Sequence, residues 1–293
     1  MMGICNLCPR QCNVDRTSGC GYCKVGASFK IGRIMKHMWE EPCISGDNGS
    51  GAIFFAGCNM GCIYCQNDKL SKGLVGKEYT ADELVEEMLK LQDMGCNNIN
   101  FVTPSHYADR LPELIVKAKD KGLTIPIVYN TSAYDSVETL KKLDGLVDVY
   151  LPDLKYLDAE GAKKYSNAIN YPGIARLAID EMVRQVGHCE FTNEGIMKKG
   201  VLVRHLVLPE RLEESKRVID YLYTRYGDSI YISIMNQYTP YGKAKDDEIL
   251  SRPITEDEYD EVVEYAVFVG VENGFIQEGE TCSESFIPEF TSE

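Results

Sequence analysis

The chain has 293 residues, with 45 acidic side chains against 31 basic ones and a net charge of −14. Its 44% hydrophobic and 26% charged residues match an ordinary globular protein and exclude intrinsic disorder. The acid excess opposes phosphate contacts, so neither DNA nor RNA is an expected partner. No apolar run approaches the roughly 18 residues of a membrane-spanning helix. The start, Met1-Met2-Gly3-Ile4-Cys5, lacks the basic-then-apolar pattern of a signal peptide, and the expected location is the cytoplasm.

In chain order, residues 1–48 are rich in Cys and Gly and show little periodicity, which predicts a small segment held by metal rather than by a core of its own. Residues 49–275 alternate short apolar runs with amphipathic stretches. Strands are predicted at Ala52 to Ala56, Ile99 to Val102, Ile125 to Tyr129, Val147 to Leu151, Val201 to Leu208 and Ile230 to Ile234. Helices are predicted at Thr80 to Asp93, Arg110 to Lys121, Ser136 to Leu143, Ala159 to Ser166, Gly173 to Val186, Leu212 to Tyr226 and Thr255 to Val269. Two of them open with capping boxes, Thr80 with Glu83 and Thr255 with Glu258. Residues 276–293 read as an acidic tail. Strand alternating with helix means an α/β fold of parallel strands joined by crossovers.

In such folds ligands gather at the carboxyl ends of the strands. Five predicted strands end in polar groups: Cys58 to Cys65; Thr103, Ser105 and His106; Asn130, Thr131 and Ser132; Asp153 and Lys155; Asn236 and Gln237. The remaining strand carries Arg204 and His205 within it. One central site is expected.

The twelve cysteines are Cys5, Cys8, Cys12, Cys20, Cys23, Cys43, Cys58, Cys62, Cys65, Cys96, Cys189 and Cys282. Clustered cysteines in a reducing cytosol are metal ligands or catalytic groups more often than cross-links. Cys96 and Cys189 read as small buried hydrophobes. The sharpest motif is Cys58-Asn-Met-Gly-Cys62-Ile-Tyr-Cys65, directly after the first predicted strand. Three thiolates so spaced can ligate three irons of a four-iron cluster and leave the fourth open to substrate. A zinc knuckle would need a fourth ligand, and no His or Cys follows nearby.

This triplet resembles the motif of the radical S-adenosylmethionine superfamily, with Tyr64 as the aromatic residue before the last cysteine. Glu40-Glu41-Pro42, Ser45-Gly46, Gly49-Ser50-Gly51, Cys5-Asn-Leu-Cys8-Pro9-Arg10-Gln-Cys12, Thr103-Pro104-Ser105-His106-Tyr107 and Leu151-Pro152-Asp153-Leu154-Lys155 resemble the pyruvate formate-lyase activating enzymes of the PflX type. The resemblance implies a partial (β/α)6 TIM-like barrel behind the Cys-rich segment. It also implies a [4Fe-4S] cluster that cleaves S-adenosylmethionine to a 5′-deoxyadenosyl radical, which abstracts hydrogen from a substrate. That substrate could be the glycine of a glycyl-radical enzyme, another protein or a small molecule, with flavodoxin or ferredoxin as reductant. A rival from another class is a non-enzymatic electron carrier or sensor, which would need four cysteines for each cluster.

Site residues follow with the cofactor. Tyr64 lies beside it, and Thr103 or Ser105 could accept from the methionyl amine, replacing the Gly-Gly-Glu-like segment of related activases. His106 could be a proton carrier or part of the substrate pocket. Asp153 and Lys155 project to one side of a strand end and suit a charged ligand. The resemblance adds a monovalent cation near Asp153 and Thr131. Arg204, a lone charge in an apolar run, must be paired, either with the methionyl carboxylate or in a salt bridge. Asn236, Gln237 and Tyr238 are further contact candidates. At the amino terminus, Cys5, Cys8, Cys20 and Cys23 have the pairing of a zinc ribbon, with Cys12 as a fifth thiol. Alternatively Cys5, Cys8 and Cys12 with one later cysteine could hold an auxiliary iron–sulfur cluster.

Overall fold

The central strands are mainly apolar, as strands covered on both faces are, and their few polar residues include Asn100, Asn130 and Arg204. In the computed structural model, which describes residues 4–277, these strands form one sheet. The strands are β1 (Phe29–His37), β2 (Ser50–Phe55), β3 (Lys77–Tyr79), β4 (Ile99–Val102), β5 (Ile127–Thr131), β6 (Val149–Pro152), β7 (Glu190–Phe191), β8 (Met197–Leu206), β9 (Tyr231–Met235) and β10 (Gly274–Ile276). Their order is β10-β9-β8-β6-β5-β4-β2-β1-β3, with β7 pairing β8. From β2 through β4, β5, β6, β8 and β9 to β10 every pairing is parallel. The six predicted strands thus lie side by side in chain order, as in a barrel that has not closed.

The helices between them are α1 (Pro42–Ser45), α2 (Asp68–Ser71), α3 (Ala81–Asp93), α4 (Leu111–Asp120), α5 (Val137–Leu140), α6 (Ala159–Ser166), α7 (Tyr171–Val186), α8 (Leu212–Tyr226) and α9 (Glu256–Val269). Both capping boxes form: the Thr80 and Thr255 hydroxyls accept from the backbone N–H of Glu83 and Glu258, whose carboxylates accept from the Thr80 and Thr255 N–H in turn. Helix α3 buries Leu84, Val85, Met88 and Leu91 on one face. The helix expected over Ser136 to Leu143 is only α5 followed by a 3-10 turn at Lys141–Leu143. Helix α7 begins two residues early because Pro172 suits a first turn.

Strand β1 was not foreseen. It lies inside the Cys-rich segment and pairs antiparallel with β2, and a bulge between Ile31 and Arg33 breaks the alternation that would have signalled it. The sheet therefore extends into residues 1–48. The core is rich in tyrosine, and the buried hydroxyls have partners: Tyr129 donates to Asp135, Tyr150 to Gln185, Tyr171 to the Asp153 carbonyl and Tyr238 to the Leu250 carbonyl. Cys96 is buried in this core. Cys282 and the tail beyond residue 277 lie outside the described residues. No helix among the described residues is long and apolar enough to cross a membrane.

Replacing Thr255 with Ala removes the cap that orders the first turn of α9. It should lower unfolding stability by about 1 kcal/mol, read as a shifted urea midpoint with unchanged slope.

Candidate active site

The parallel ladders bring the strand ends together. Val102 pairs with both Phe54 and Asn130, Thr131 with Pro152, and Asp153 bridges Arg204. The Asp153 amide donates to the Thr131 carbonyl at 2.8 Å and the Leu154 amide to the Arg204 carbonyl at 2.9 Å. Over these ends opens a cavity of about 700 Å³. Its walls include Cys58, Cys62, Tyr64 and Cys65 on one side and Asp153, Lys155, Arg204, Glu40 and Glu41 on another.

The cysteine loop is shaped by close packing. Gly57 has φ +88°, and a Cβ there would come within 2.5 Å of the Cys23 carbonyl oxygen, so only glycine fits before Cys58. The loop is tied to the end of α6, with Gly61 N–H on the Ser166 carbonyl at 3.2 Å and Ile63 N–H on the Tyr165 carbonyl at 2.9 Å. The Ser166 hydroxyl donates to Cys62 Sγ at 3.0 Å, and Ser166 is joined through Tyr156 (3.0 Å) to Tyr64 (2.6 Å). Burial, with the Cys62 charge adding, pushes the Cys58 thiol well up and Cys65 up to about 11. Three thiolates alone would repel one another in this half-buried loop. Metal can replace their protons and remove the conflict, so the donor set fits an iron–sulfur cluster.

Facing the cysteines is a buried charge network. Arg204 donates through Nε to Asp153 (3.0 Å), through Nη1 to Glu40 (3.2 Å) and through Nη2 to Asn130 (2.5 Å). Lys155 Nζ lies 2.7 Å from the other Asp153 oxygen. Glu40 also accepts from Asn100 at 3.0 Å. Burial alone would raise the Asp153 pKa, but Lys155 and Arg204 outweigh it and hold the carboxyl below the usual range. For Glu40 and Glu41 burial wins and pushes both up, against the pull of Arg204. Glu41 Oε2 is buried with no hydrogen-bond partner among the described residues, and it lines the cavity.

Thr103 and Thr131 also reach the wall, Thr103 in a left-handed conformation (φ 59°) that a β-branched residue rarely adopts. Ser105 and His106 do not line the cavity, which corrects the expectation for both. They sit in a 3-10 turn, Ser105–Tyr107, that folds back under the sheet. There Ser105 meets Thr131 at 3.0 Å, and His106 Nε2 meets the Ala56 carbonyl at 2.8 Å. Burial drops the His106 pKa to about 3, so the ring is neutral near pH 7 and its Nε2–H is taken up by the Ala56 carbonyl rather than shuttled. The Thr131 hydroxyl donates to Asp135 at 2.6 Å, and both Asp153 oxygens are held by Arg204 and Lys155. Of the last strand's candidates, Gln237 and Tyr238 line the cavity, whereas the Asn236 amide donates to the Gln277 carbonyl at 3.3 Å.

Sequence reasoning named Glu40 and Glu41 only as part of a motif. Their place opposite the cysteines carries no periodic signal, although an acidic pair just before Pro42 could have been matched with the lone arginine of β8.

The family model of the radical SAM superfamily matches residues 52–222. The chain belongs to that superfamily. Its members carry an iron–sulfur cluster and cleave S-adenosylmethionine by radical chemistry, and the open parallel sheet is their partial barrel. An uncharacterized protein of Methanocaldococcus jannaschii is 29% identical over 276 residues, covering 89% of this chain and 74% of that one. The pyruvate formate-lyase-activating enzyme of Clostridium pasteurianum is 28% identical over 195 residues, covering 64% and 74%. Among solved structures, Streptococcus suis SuiB bound to its precursor peptide SuiA superposes with TM-score 0.52 at 14% identity, over 76% of this chain. The radical SAM chain matches 47% of that structure, about half its length. Methylornithine synthase gives TM-score 0.50 at 15% identity, over 80% of this chain and 75% of its own.

The depressed pKa of Asp153 sets an acid dependence. Its contribution to stability is present above about pH 4, the unfolded value, and is lost as pH falls through the lower folded value. Asp153→Asn should therefore cost roughly 3 kcal/mol at pH 7, and the difference from the parent protein should shrink below pH 4 in denaturant titrations.

Proposed function

We propose that Cys58, Cys62 and Cys65 hold three irons of a [4Fe-4S] cluster and that S-adenosylmethionine occupies the adjoining cavity. The protein then acts as a radical enzyme that takes hydrogen from a peptide or protein, an activase-like role. The observation that carries this reading is that a three-thiol loop and a buried charge network containing Lys155 and Arg204 line one cavity of about 700 Å³. When bound, the cluster and S-adenosylmethionine supply a 5′-deoxyadenosyl radical that abstracts hydrogen.

The chain's own groups bind, orient and exclude water. Lys155 and Arg204 present N–H donors suited to the methionyl carboxylate, and Asp153 fixes both cations in place. The Ser166 hydroxyl stabilises negative charge on Cys62. Tyr64, packed edge-on against Tyr238 and bonded to Tyr156, keeps water from the inner wall. Glu41 offers a carboxylate oxygen to a donor group on the substrate. The activase-like assignment rests on the Clostridium pasteurianum relative. A peptide substrate is further supported by Met38 and Trp39, exposed apolar side chains that line the same cavity. A pure electron carrier would have no use for such a cavity.

The reduced, anaerobically reconstituted protein should convert S-adenosylmethionine to 5′-deoxyadenosine and methionine, measured by chromatography, and absence of 5′-deoxyadenosine would refute the reading. Alanine at Cys58, Cys62 or Cys65 should abolish cleavage, whereas Cys96→Ala, in the core away from the cavity, should retain it. Loss of the hydrogen bond in Ser166→Ala should move the cluster midpoint potential more negative by about 60 mV, the one-electron equivalent of roughly 1.4 kcal/mol, in an EPR-monitored redox titration.

A further inference from the structure

Five cysteines precede β1, and the fold separates them. Cys5 bridges Val14, with its N–H on the Val14 carbonyl at 2.8 Å, so residues 5–14 form a loop that carries Cys8 and Cys12. The turn of residues 20–23 folds onto Cys12: the Tyr22 N–H donates to Cys12 Sγ at 3.2 Å, and a Cβ on Gly21 would lie 3.0 Å from that sulfur. Cys8 and Cys23 are buried, Cys5 and Cys12 half-buried, and Cys20 is exposed. The 20–23 turn thus meets Cys12 over the loop that carries Cys5 and Cys8, while Cys20 turns to solvent.

We propose that Cys5, Cys8, Cys12 and Cys23 bind a second, fully cysteine-ligated four-iron cluster, with Cys20 outside the ligand set. A zinc ribbon would use Cys20, and zinc would need its ligands gathered around a single point. A four-iron cluster places each cysteine on a different iron and makes no such demand.

The knot packs directly on the catalytic loop. The Cys23 carbonyl lies against Gly57, the Asn59 side chain contacts Cys8, and Arg10 Nε donates to the Asn59 carbonyl at 2.8 Å. Gly57 and Asn59 flank Cys58, so the knot touches the segment that carries the first thiol of the catalytic loop.

The test is iron and sulfide analysis, with UV-visible and EPR spectra, after anaerobic reconstitution with ferrous iron and sulfide. A variant with Cys58, Cys62 and Cys65 all replaced by Ala should still hold about four irons and four sulfides per chain, against about eight of each in the parent. A triple variant without iron, or one that holds zinc through reconstitution, overturns the proposal. In the triple background Cys20→Ser should keep the iron and Cys23→Ser should lose it, and either result reversed overturns the ligand set. The difference between parent and triple variant reports the catalytic cluster alone, so failure at one site is distinguishable from failure at the other.

Discussion

A guanidinium inside an apolar strand cannot stay unpaired, and the site is organised around how Arg204 is satisfied. Its donors reach Asp153 at the end of β6, Asn130 on β5 and Glu40 before α1. One buried cation thereby ties three separate parts of the chain to the floor of the cavity. Breaking such a network strands charges in a place where water cannot repay them. The same pairing fixes Lys155 and Arg204 in the cavity wall, with Asp153 and Glu40 offsetting their charge.

Opposite that wall, hydrogen bonding replaces charge. Tyr64, Tyr156 and Ser166 form a chain of hydroxyls ending at Cys62, and two backbone bonds anchor the loop to the end of α6. A polar group in a dry core must be bonded, and a chain of bonded hydroxyls is stiff. The cysteine loop is therefore held on the inner side by helix α6 and on the outer side by the amino-terminal knot, whose Cys23 carbonyl approaches Gly57 too closely for any side chain.

Much of this was legible in the residues. The six central strands are mainly apolar runs, and the two clearest helix-start signals were the capping boxes at Thr80 and Thr255, local devices whose geometry depends on four consecutive residues. Strand β1 was hidden because its bulge offsets the alternation by one residue. His106 was misread for a different reason: an imidazole at a strand end resembles a proton carrier until burial and the Ala56 carbonyl are seen to keep it neutral.

Sequence alone determined the class of fold and the three-cysteine motif, because both are written in short-range patterns of apolar residues and of thiols. Which charges meet was decided only in three dimensions. Glu40 and Arg204 are 164 residues apart, and no local pattern links them. Parallel strands are joined by crossovers, so neighbours in space come from distant stretches of chain, and the register of those strands brings Asp153, Asn130 and Arg204 within hydrogen-bond reach.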